Sequence, residues 1–174
     1  MQETADSLNT QAIMLAAQGD YSDAIACLKK ALTIDNRNYL LWFNLGITYR
    51  DAGKLRQAKA MLEKALTCKD DDIDTIETLA IICNSLDEES NALNYCYEGL
   101  DINQKNPHLW NTTGVILFNH ANYKEACKAF EQAVSLNPFY YDALYNLRDT
   151  YDELHNEQGK QSCIEALKRL PAGK

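Results

Sequence analysis

Apolar side chains recur three and four positions apart along most of this chain, and small residues occupy fixed places among them. Such spacing places the apolar residues on one face of a helix, whereas a half-buried strand would alternate every second residue. The sequence contains only three prolines and seven glycines, which also favours helices. The clearest helical stretch near the N-terminus has apolar positions Ala24, Leu28, Ala31, Leu32 and Ile34.

A longer period organises these helices. The segment 42–49 reads WFNLGITY and is followed at fixed distances by Ala58, Leu62 and Ala65. The pattern returns at Trp110, so that the interval from Trp42 is two periods of 34. The second copy contains Trp110, Gly114, Leu117, Ala126, Phe130, Ala133 and Pro138.

This pattern, W-x2-L-G-x2-Y followed by A-x3-L-x2-A, resembles the tetratricopeptide repeat. The resemblance implies an all-α, right-handed superhelical solenoid of about ten helices, in which helix-turn-helix units stack side by side. We expect a single domain over residues 1–174. Its five repeats are predicted at 5–38, 39–72, 73–106, 107–140 and 141–173.

Within each repeat, a turn joins the two helices, and small residues recur where the helices are expected to meet. The first helix of repeat one is expected to end near Gln18, with Gly19 in the turn, and Gly53 plays the same role in repeat two. Repeat three replaces this turn glycine by Asp87, Glu88 and Glu89. Small residues are expected to let paired helices approach closely; they are Ala12, Ala24, Ala31, Gly46, Ala58, Ala65, Ala80, Ala92, Gly99, Gly114, Ala126 and Ala133.

The fifth repeat does not fit strict 34-residue spacing, which would put Lys160 and Leu167 at tight helix contacts. A deletion of one residue between Leu154 and Gln158 repairs the alignment. Gly159, Cys163, Ala166, Leu167 and Pro171 then match Ala126, Phe130, Ala133, Val134 and Pro138. We therefore predict a shortened turn in this repeat.

Composition narrows the possible functions. The net charge of −8 makes nucleic acid an improbable partner, because phosphate binding needs clustered lysine and arginine. No apolar run approaches the roughly 20 residues of a membrane span, and the first residues lack a basic leader. The six cysteines show no CxxC spacing, so we expect reduced thiols, with Cys83 and Cys96 as small core residues. These features predict a cytoplasmic protein.

Sequence motifs for catalysis are lacking. The histidines His108, His120 and His155 lie far apart in the repeat alignment, and no P-loop, GxGxxG or HExxH is present. We therefore expect no catalytic residue, no cofactor and no metal. His120 and His155 fall at turns, where solvent exposure is the simplest expectation, whereas His108 could contact a partner.

The resemblance implies that first helices line a concave groove in which partners bind as extended or helical peptides. This position resembles the asparagine ladder of the repeat domain in O-linked N-acetylglucosamine transferase at Asn44 and Asn146, whereas threonine stands at the other ladder positions, Thr10, Thr78 and Thr112. An amide can both donate to and accept from a peptide backbone. The alternative is that asparagine is simply common in such repeats. The predicted groove residues are Asn9, Thr10, Ile13, Phe43, Asn44, Ile47, Glu77, Thr78, Ile81, His108, Asn111, Thr112, Val115, Asp142, Tyr145, Asn146 and Asp149.

The predicted function is a non-enzymatic scaffold or adaptor that holds a peptide segment of another protein. Acidic groove positions, including Asp74, Asp152 and Glu153, favour a segment with basic residues, although they could equally form a solvated surface. Two alternatives remain: an assembly subunit or secretion-type chaperone that uses its edge or convex face, and a regulatory fragment of a larger enzyme. The apolar side of the last helix has three possible explanations. The helix could act as its own cap, its apolar side could be buried in a homodimer or a larger complex, or the chain could be a fragment of a longer one.

Overall fold

The computed structural model describes residues 3–170, which form ten α-helices and, over that range, no strand. Pro171, which the sequence alignment matches to Pro138, lies outside the described residues. In chain order the helices are α1 (Ala5–Ala17), α2 (Tyr21–Ile34), α3 (Tyr39–Asp51), α4 (Leu55–Cys68), α5 (Ile73–Ser85), α6 (Glu89–Ile102), α7 (Pro107–Asn119), α8 (Tyr123–Leu136), α9 (Tyr141–Glu153) and α10 (Glu157–Arg169).

The helices confirm the predicted all-α repeat fold. Odd-numbered helices begin at residues 5, 39, 73, 107 and 141, where the five repeats were expected to start. The chain divides into two compact units, Met1–Glu88 with α1 to α5 (unit 1) and Glu89–Lys174 with α6 to α10 (unit 2). Within each unit every helix packs against the next along the chain, and α1 also contacts α3, as α7 contacts α9. A single domain over the whole chain stays a prediction.

Short polar side chains start several of the first helices. The Asn38 side chain accepts a hydrogen bond from the Leu40 N–H, and the Asp72 carboxylate accepts one from the Thr75 N–H. Asn106 does the same immediately before Pro107, whose missing N–H costs nothing in the first turn. These caps satisfy backbone donors that a helix leaves unpaired at its N-terminus. The sequence therefore fixes where each of these first helices begins.

Each helix pair turns through one residue in the left-handed region, and these residues are spaced 34 apart. Gly19 and Gly53 have φ angles of 85° and 73°, as the turn prediction requires. The same position is taken by Asp87, Ala121 and His155, with φ angles of 61°, 58° and 54°. Because a β-carbon disfavours this conformation, repeats three to five carry strain that repeats one and two avoid.

Ala121→Gly is therefore expected to raise the free energy of unfolding by about 0.5–1 kcal/mol, because glycine adopts the left-handed conformation without steric cost. Urea denaturation followed by circular dichroism measures the change. The same substitution at Ala60, which is exposed within α4, should instead lower stability by about 0.5–1 kcal/mol. Equal signs for the two variants would contradict the strain at position 121.

Close helix approach at the predicted small residues is confirmed. A β-carbon added to Gly46 would lie 2.6 Å from Leu62 Cγ, and one added to Gly114 would lie 2.5 Å from Phe130 Cε1. Neither neighbour leaves room for a methyl group. The alanines predicted beside them, such as Ala58 and Ala126, are fully buried. Glycine and alanine thus set the distance between the helices of a pair.

The predicted deletion between Leu154 and Gln158 is wrong for the backbone. His155 takes the left-handed position on strict 34-residue spacing. The N–H of Asn156 donates to the carbonyl of Tyr151, and the equivalent bond is present one repeat earlier. Helix α10 likewise begins one full repeat period after α8. The turn therefore has its full length.

The buried face of α10 nevertheless follows the predicted alignment. Gly159 packs so closely on Tyr151 that an added β-carbon would lie 2.8 Å from its ring, and Cys163 is buried, as Phe130 is in repeat four. Lys160 instead reaches Asp152, with Nζ 2.6 Å from Oδ1. A shift of one residue rotates a helix face by about 100°. The small glycine allows that rotation, and α10 is one residue shorter than α8 at its C-terminal end.

All six cysteines are free thiols. Cys83 and Cys96 are fully buried, which confirms their predicted place in the core. Burial raises the pKa of the Cys83 and Cys127 thiols to about 11. Both thiols are therefore protonated at neutral pH, and a protonated thiol is a poor nucleophile.

Candidate peptide-binding face

The predicted groove residues lie on the first helices of the repeats and are divided between the two units. On α1, α3 and α5, the unit 1 face comprises Asn9, Thr10, Ile13, Phe43, Asn44, Ile47, Glu77, Thr78 and Ile81. On α7 and α9, the unit 2 face comprises His108, Asn111, Thr112, Val115, Asp142, Tyr145, Asn146 and Asp149. Most are half-buried or exposed, and Thr112 is buried.

Asparagine side chains pair across neighbouring repeats on both faces. Asn44 Nδ2 donates to Asn9 Oδ1 at 2.8 Å, and Asn146 Nδ2 donates to Asn111 Oδ1 at 3.0 Å. The two pairs occupy equivalent repeat positions. Each pair orients its amides while leaving further donor and acceptor capacity, because an amide offers two N–H groups and two lone pairs.

The threonines of the predicted ladder are less available to a ligand. The hydroxyl groups of Thr10 and Thr78 donate to carbonyls of their own helices, at 3.0 Å and 2.7 Å. Such bonds back to the preceding turn are common for threonine in helices. The polar ladder is therefore concentrated in the asparagine pairs.

A pocket of about 200 Å³ opens on the unit 2 face. Its apolar wall comes from Val115, Phe118 and Phe130, and its polar rim from Asn119, Asn146 and Asp149. Three of these six, Val115, Asn146 and Asp149, belong to the predicted groove. The other three were not predicted for two reasons. Phe130 belongs to the second helix α8, where it packs against Gly114, and Phe118 and Asn119 lie on α7 one turn beyond Val115, the last groove position considered there.

Aromatic side chains border the same face near the start of α9. The Tyr140 hydroxyl lies 3.0 Å from His108 Nδ1, and the rings of Tyr141 and Tyr145 stack with centroids 6.2 Å apart. The Arg148 guanidinium lies 3.8 Å from the centre of the Tyr145 ring. The aromatic run 139–145 is the signal in the sequence that could have identified this border.

Ion pairs reduce the acidity predicted for this region. Arg148 contacts the Asp149 carboxylate at 2.6 Å, and Lys160 binds Asp152. The hydrogen bond from Lys160 lowers the pKa of Asp152. Asp142 and Glu153 are exposed and form no ion pair within residues 3–170, so they remain available to attract a basic partner.

The described residues, 3–170, include no candidate membrane span and no candidate metal site. None of their helices combines the length and apolarity that crossing a bilayer requires. They also contain no group of three or more histidine, cysteine or acidic side chains arranged to hold a metal ion.

Comparison with known solved structures supports the repeat fold. YrrB, described as a TPR protein with an unusual peptide-binding site, is 24% identical, with a TM-score of 0.72 over 94% of this chain and 84% of that one. MamA from Desulfovibrio magneticus RS-1 is 13% identical, with a TM-score of 0.85 over 98% of this chain and 96% of its own. At these identities the likeness concerns the fold alone.

Similar curated proteins are much longer than this chain. The BBSome complex member bbs-4 of Caenorhabditis elegans is 28% identical over 77% of this chain, and the match covers 29% of bbs-4. The TPR repeat-containing protein MJ1428 of Methanocaldococcus jannaschii is 27% identical over 69% of this chain and 23% of its own length. The chain therefore spans less than a third of these relatives.

Family models match two segments of this chain. Two models described as tetratricopeptide repeat match residues 15–79 and 107–140, which together make up more than half of the chain. They cover the two segments in which the tryptophan-containing motif occurs. This protein belongs to the tetratricopeptide repeat family.

Proposed function

We propose that this protein is a non-enzymatic adaptor that holds a peptide segment of a partner protein on its unit 2 face. Membership of the tetratricopeptide repeat family supports a protein–protein interaction scaffold in general. The pocket of about 200 Å³ beside Asn146 carries the more specific proposal. A cytoplasmic location and a homodimer through α10 stay predictions.

The pocket combines the two requirements for holding a peptide. Its apolar wall, which includes Val115 and Phe118, suits an aliphatic side chain, because burial of apolar area drives association. The Asn146–Asn111 pair beside it can bond the peptide backbone. Binding thus uses one anchoring side chain and a backbone contact next to it.

Exposed acidic side chains indicate which charge the partner segment carries. Asp142 and Glu153 are exposed acids without an ion pair in the described residues, and the whole chain has a net charge of −8. A segment with lysine or arginine next to its aliphatic anchor fits these groups. Because exposed charges are screened by salt, this part of the affinity should weaken as ionic strength rises.

A second candidate function is that of an assembly subunit. The relative bbs-4 is named as a member of a protein complex, which favours this alternative. On α10 the apolar side chains Ile164, Leu167 and Leu170 are only half-buried and could form an edge contact. Such a contact would not involve the asparagine pairs.

Asn146→Ala should weaken peptide binding about tenfold, because it removes a hydrogen-bonding group worth roughly 1 kcal/mol or more at the pocket rim. A random peptide display library is first selected on the wild-type protein. One selected peptide is then labelled with fluorescein and titrated by fluorescence anisotropy at low and high salt. Selected peptides should pair an aliphatic residue with lysine or arginine.

Asn94→Ala is the matched control, since Asn94 is exposed on the second helix α6 and should leave the affinity unchanged. Thermal melts of both variants show whether the fold is intact. Selection of acidic peptides, or equal affinities of wild type and Asn146→Ala, would contradict the proposal. A partner that binds both equally would favour the assembly alternative.

A further inference from the structure

Trp42 and Trp110 occupy the same repeat position and are held in the same way. The indole N–H of Trp42 donates to the carbonyl of Asn36, and that of Trp110 to the carbonyl of Gln104, at 2.8 Å in each case. In both, the acceptor lies six residues earlier. The backbone therefore sets a common orientation of the two rings, and any difference between the sites comes from their neighbours.

In unit 1, lysines of the chain itself cover the aromatic rings. Lys64 Nζ stands 4.7 Å from the centre of the Trp42 ring, and Lys29 Nζ stands 5.9 Å from the centre of the Tyr49 ring. An ammonium group over an aromatic face is attracted by the ring quadrupole, most strongly over tryptophan. This position of the repeat thus already binds a lysine side chain intramolecularly.

In unit 2, both lysines are replaced. Two repeats further along the chain, Gln132 stands at the position of Lys64, and Tyr97 stands at the position of Lys29. No lysine or arginine within residues 3–170 lies over the Trp110 ring. The aromatic face of Trp110 therefore lacks the cation that its counterpart in unit 1 has.

Smaller side chains also open the space beside Trp110. Ala129 and Leu117 occur where unit 1 has Met61 and Tyr49. The result is a cavity of about 610 Å³ lined by Trp110 and its neighbours on α6, α7 and α8. That volume lies within the range of roughly 300–1,000 Å³ found for ligand pockets.

A second aromatic side chain lines the cavity, and a lysine at its edge forms an ion pair. Tyr97 lines it and is 49% exposed. Lys128 lies at the edge, but its Nζ binds Glu125 Oε1 at 2.8 Å. Lys128 is therefore paired with a carboxylate and does not lie over the Trp110 ring.

We propose that this cavity binds a lysine side chain from an extended segment of a partner protein, with the ammonium over Trp110 and the aliphatic stem beside Tyr97. The Lys64–Trp42 contact shows the same chemistry at the same repeat position. The cavity exceeds the size of one side chain, so residues flanking the lysine also fit. The net charge of −8 attracts a cationic segment from a distance.

This site is separate from the pocket on the unit 2 face. The two cavities share no lining residue. Asn146→Ala should therefore leave lysine binding at Trp110 unchanged. The two proposals are therefore tested independently, because a negative result at one cavity does not bear on binding at the other.

The test uses a capped glycine peptide with one central lysine and the same peptide with norleucine, which has an uncharged chain of similar length. Proton NMR follows the two indole N–H signals, assigned with Trp42→Phe. The lysine peptide should shift the Trp110 signal saturably and leave the Trp42 signal in place, with at least about tenfold weaker binding of the norleucine peptide.

Gln132→Lys should abolish the shift, because it supplies the internal cation that Lys64 provides in unit 1. Ser135→Lys adds the same charge at an exposed position of the same helix and should have no effect. Equal binding of the norleucine peptide, or an unchanged shift in Gln132→Lys, overturns the proposal. If free butylammonium binds as tightly as the lysine peptide, the proposal that a peptide segment occupies the cavity is overturned.

Discussion

Phe130→Ala should lower the free energy of unfolding by about 3–5 kcal/mol, the range measured when buried aromatic residues are truncated. Phe130 is 1% exposed and lies in a buried cluster with Leu117, Leu147 and Cys163. Gly114, which packs directly on the ring, has no side chain to fill the space that the ring leaves. Urea denaturation followed by circular dichroism measures the loss, which is a large share of the roughly 5–15 kcal/mol typical of a domain.

Phe139→Ala is the matched control, because the Phe139 side chain is 75% exposed. A change within about 0.5 kcal/mol is expected there. Phe130→Leu should cost less than Phe130→Ala, since leucine occupies the equivalent positions 28 and 62. Equal losses for Phe130→Ala and Phe139→Ala would contradict the assigned packing.

Gly46→Leu should destabilise the protein by about 1–3 kcal/mol or more, because overpacking forces neighbouring atoms apart. An added β-carbon would already lie 2.6 Å from Leu62 Cγ and 3.3 Å from the carbonyl oxygen of Ala58. Leu62 could change its rotamer. The carbonyl oxygen of Ala58, however, is part of the backbone of helix α4 and cannot move without the helix. The loss is measured from urea denaturation curves.

The sign of this effect separates packing from intrinsic helix preference. Leucine forms helices better than glycine by somewhat less than about 1 kcal/mol, so preference alone predicts stabilisation. Ala60→Leu introduces the same side chain at an exposed site of α4, where a change near zero is expected. Gly46→Leu combined with Leu62→Ala should recover part of the loss, and strictly additive effects would argue against direct contact.

Periodicity predicted most of the fold. The 34-residue spacing of tryptophan, glycine and alanine indicated the start of every first helix, because each repeat must present the same small residues to its partner helix. It also located the turns at Gly19, Gly53 and Asp87, whereas the turn at His155 was predicted one residue too short. These features depend on backbone geometry, which a repeated sequence specifies well.

Side-chain arrangements were less predictable. The asparagines were predicted to face a ligand. In the structure, the side chains of Asn44 and Asn146 also donate hydrogen bonds to those of Asn9 and Asn111. Helix α10 keeps the regular turn but rotates its buried face, since Gly159 is the residue small enough to meet Tyr151. Such outcomes depend on competition between neighbouring side chains, which repeat spacing does not describe.

The left-handed turn residues have a consequence for how this chain can diversify. Their side chains stand at the tips of the helix pairs, where Gly19 and Gly53 have open space around the β-carbon position. Replacing glycine there costs about 1–2 kcal/mol of backbone strain and disturbs no packing. Mutational drift at five evenly spaced tips can therefore vary charge or add hydrogen-bonding groups while the helices beneath keep their sequence constraints.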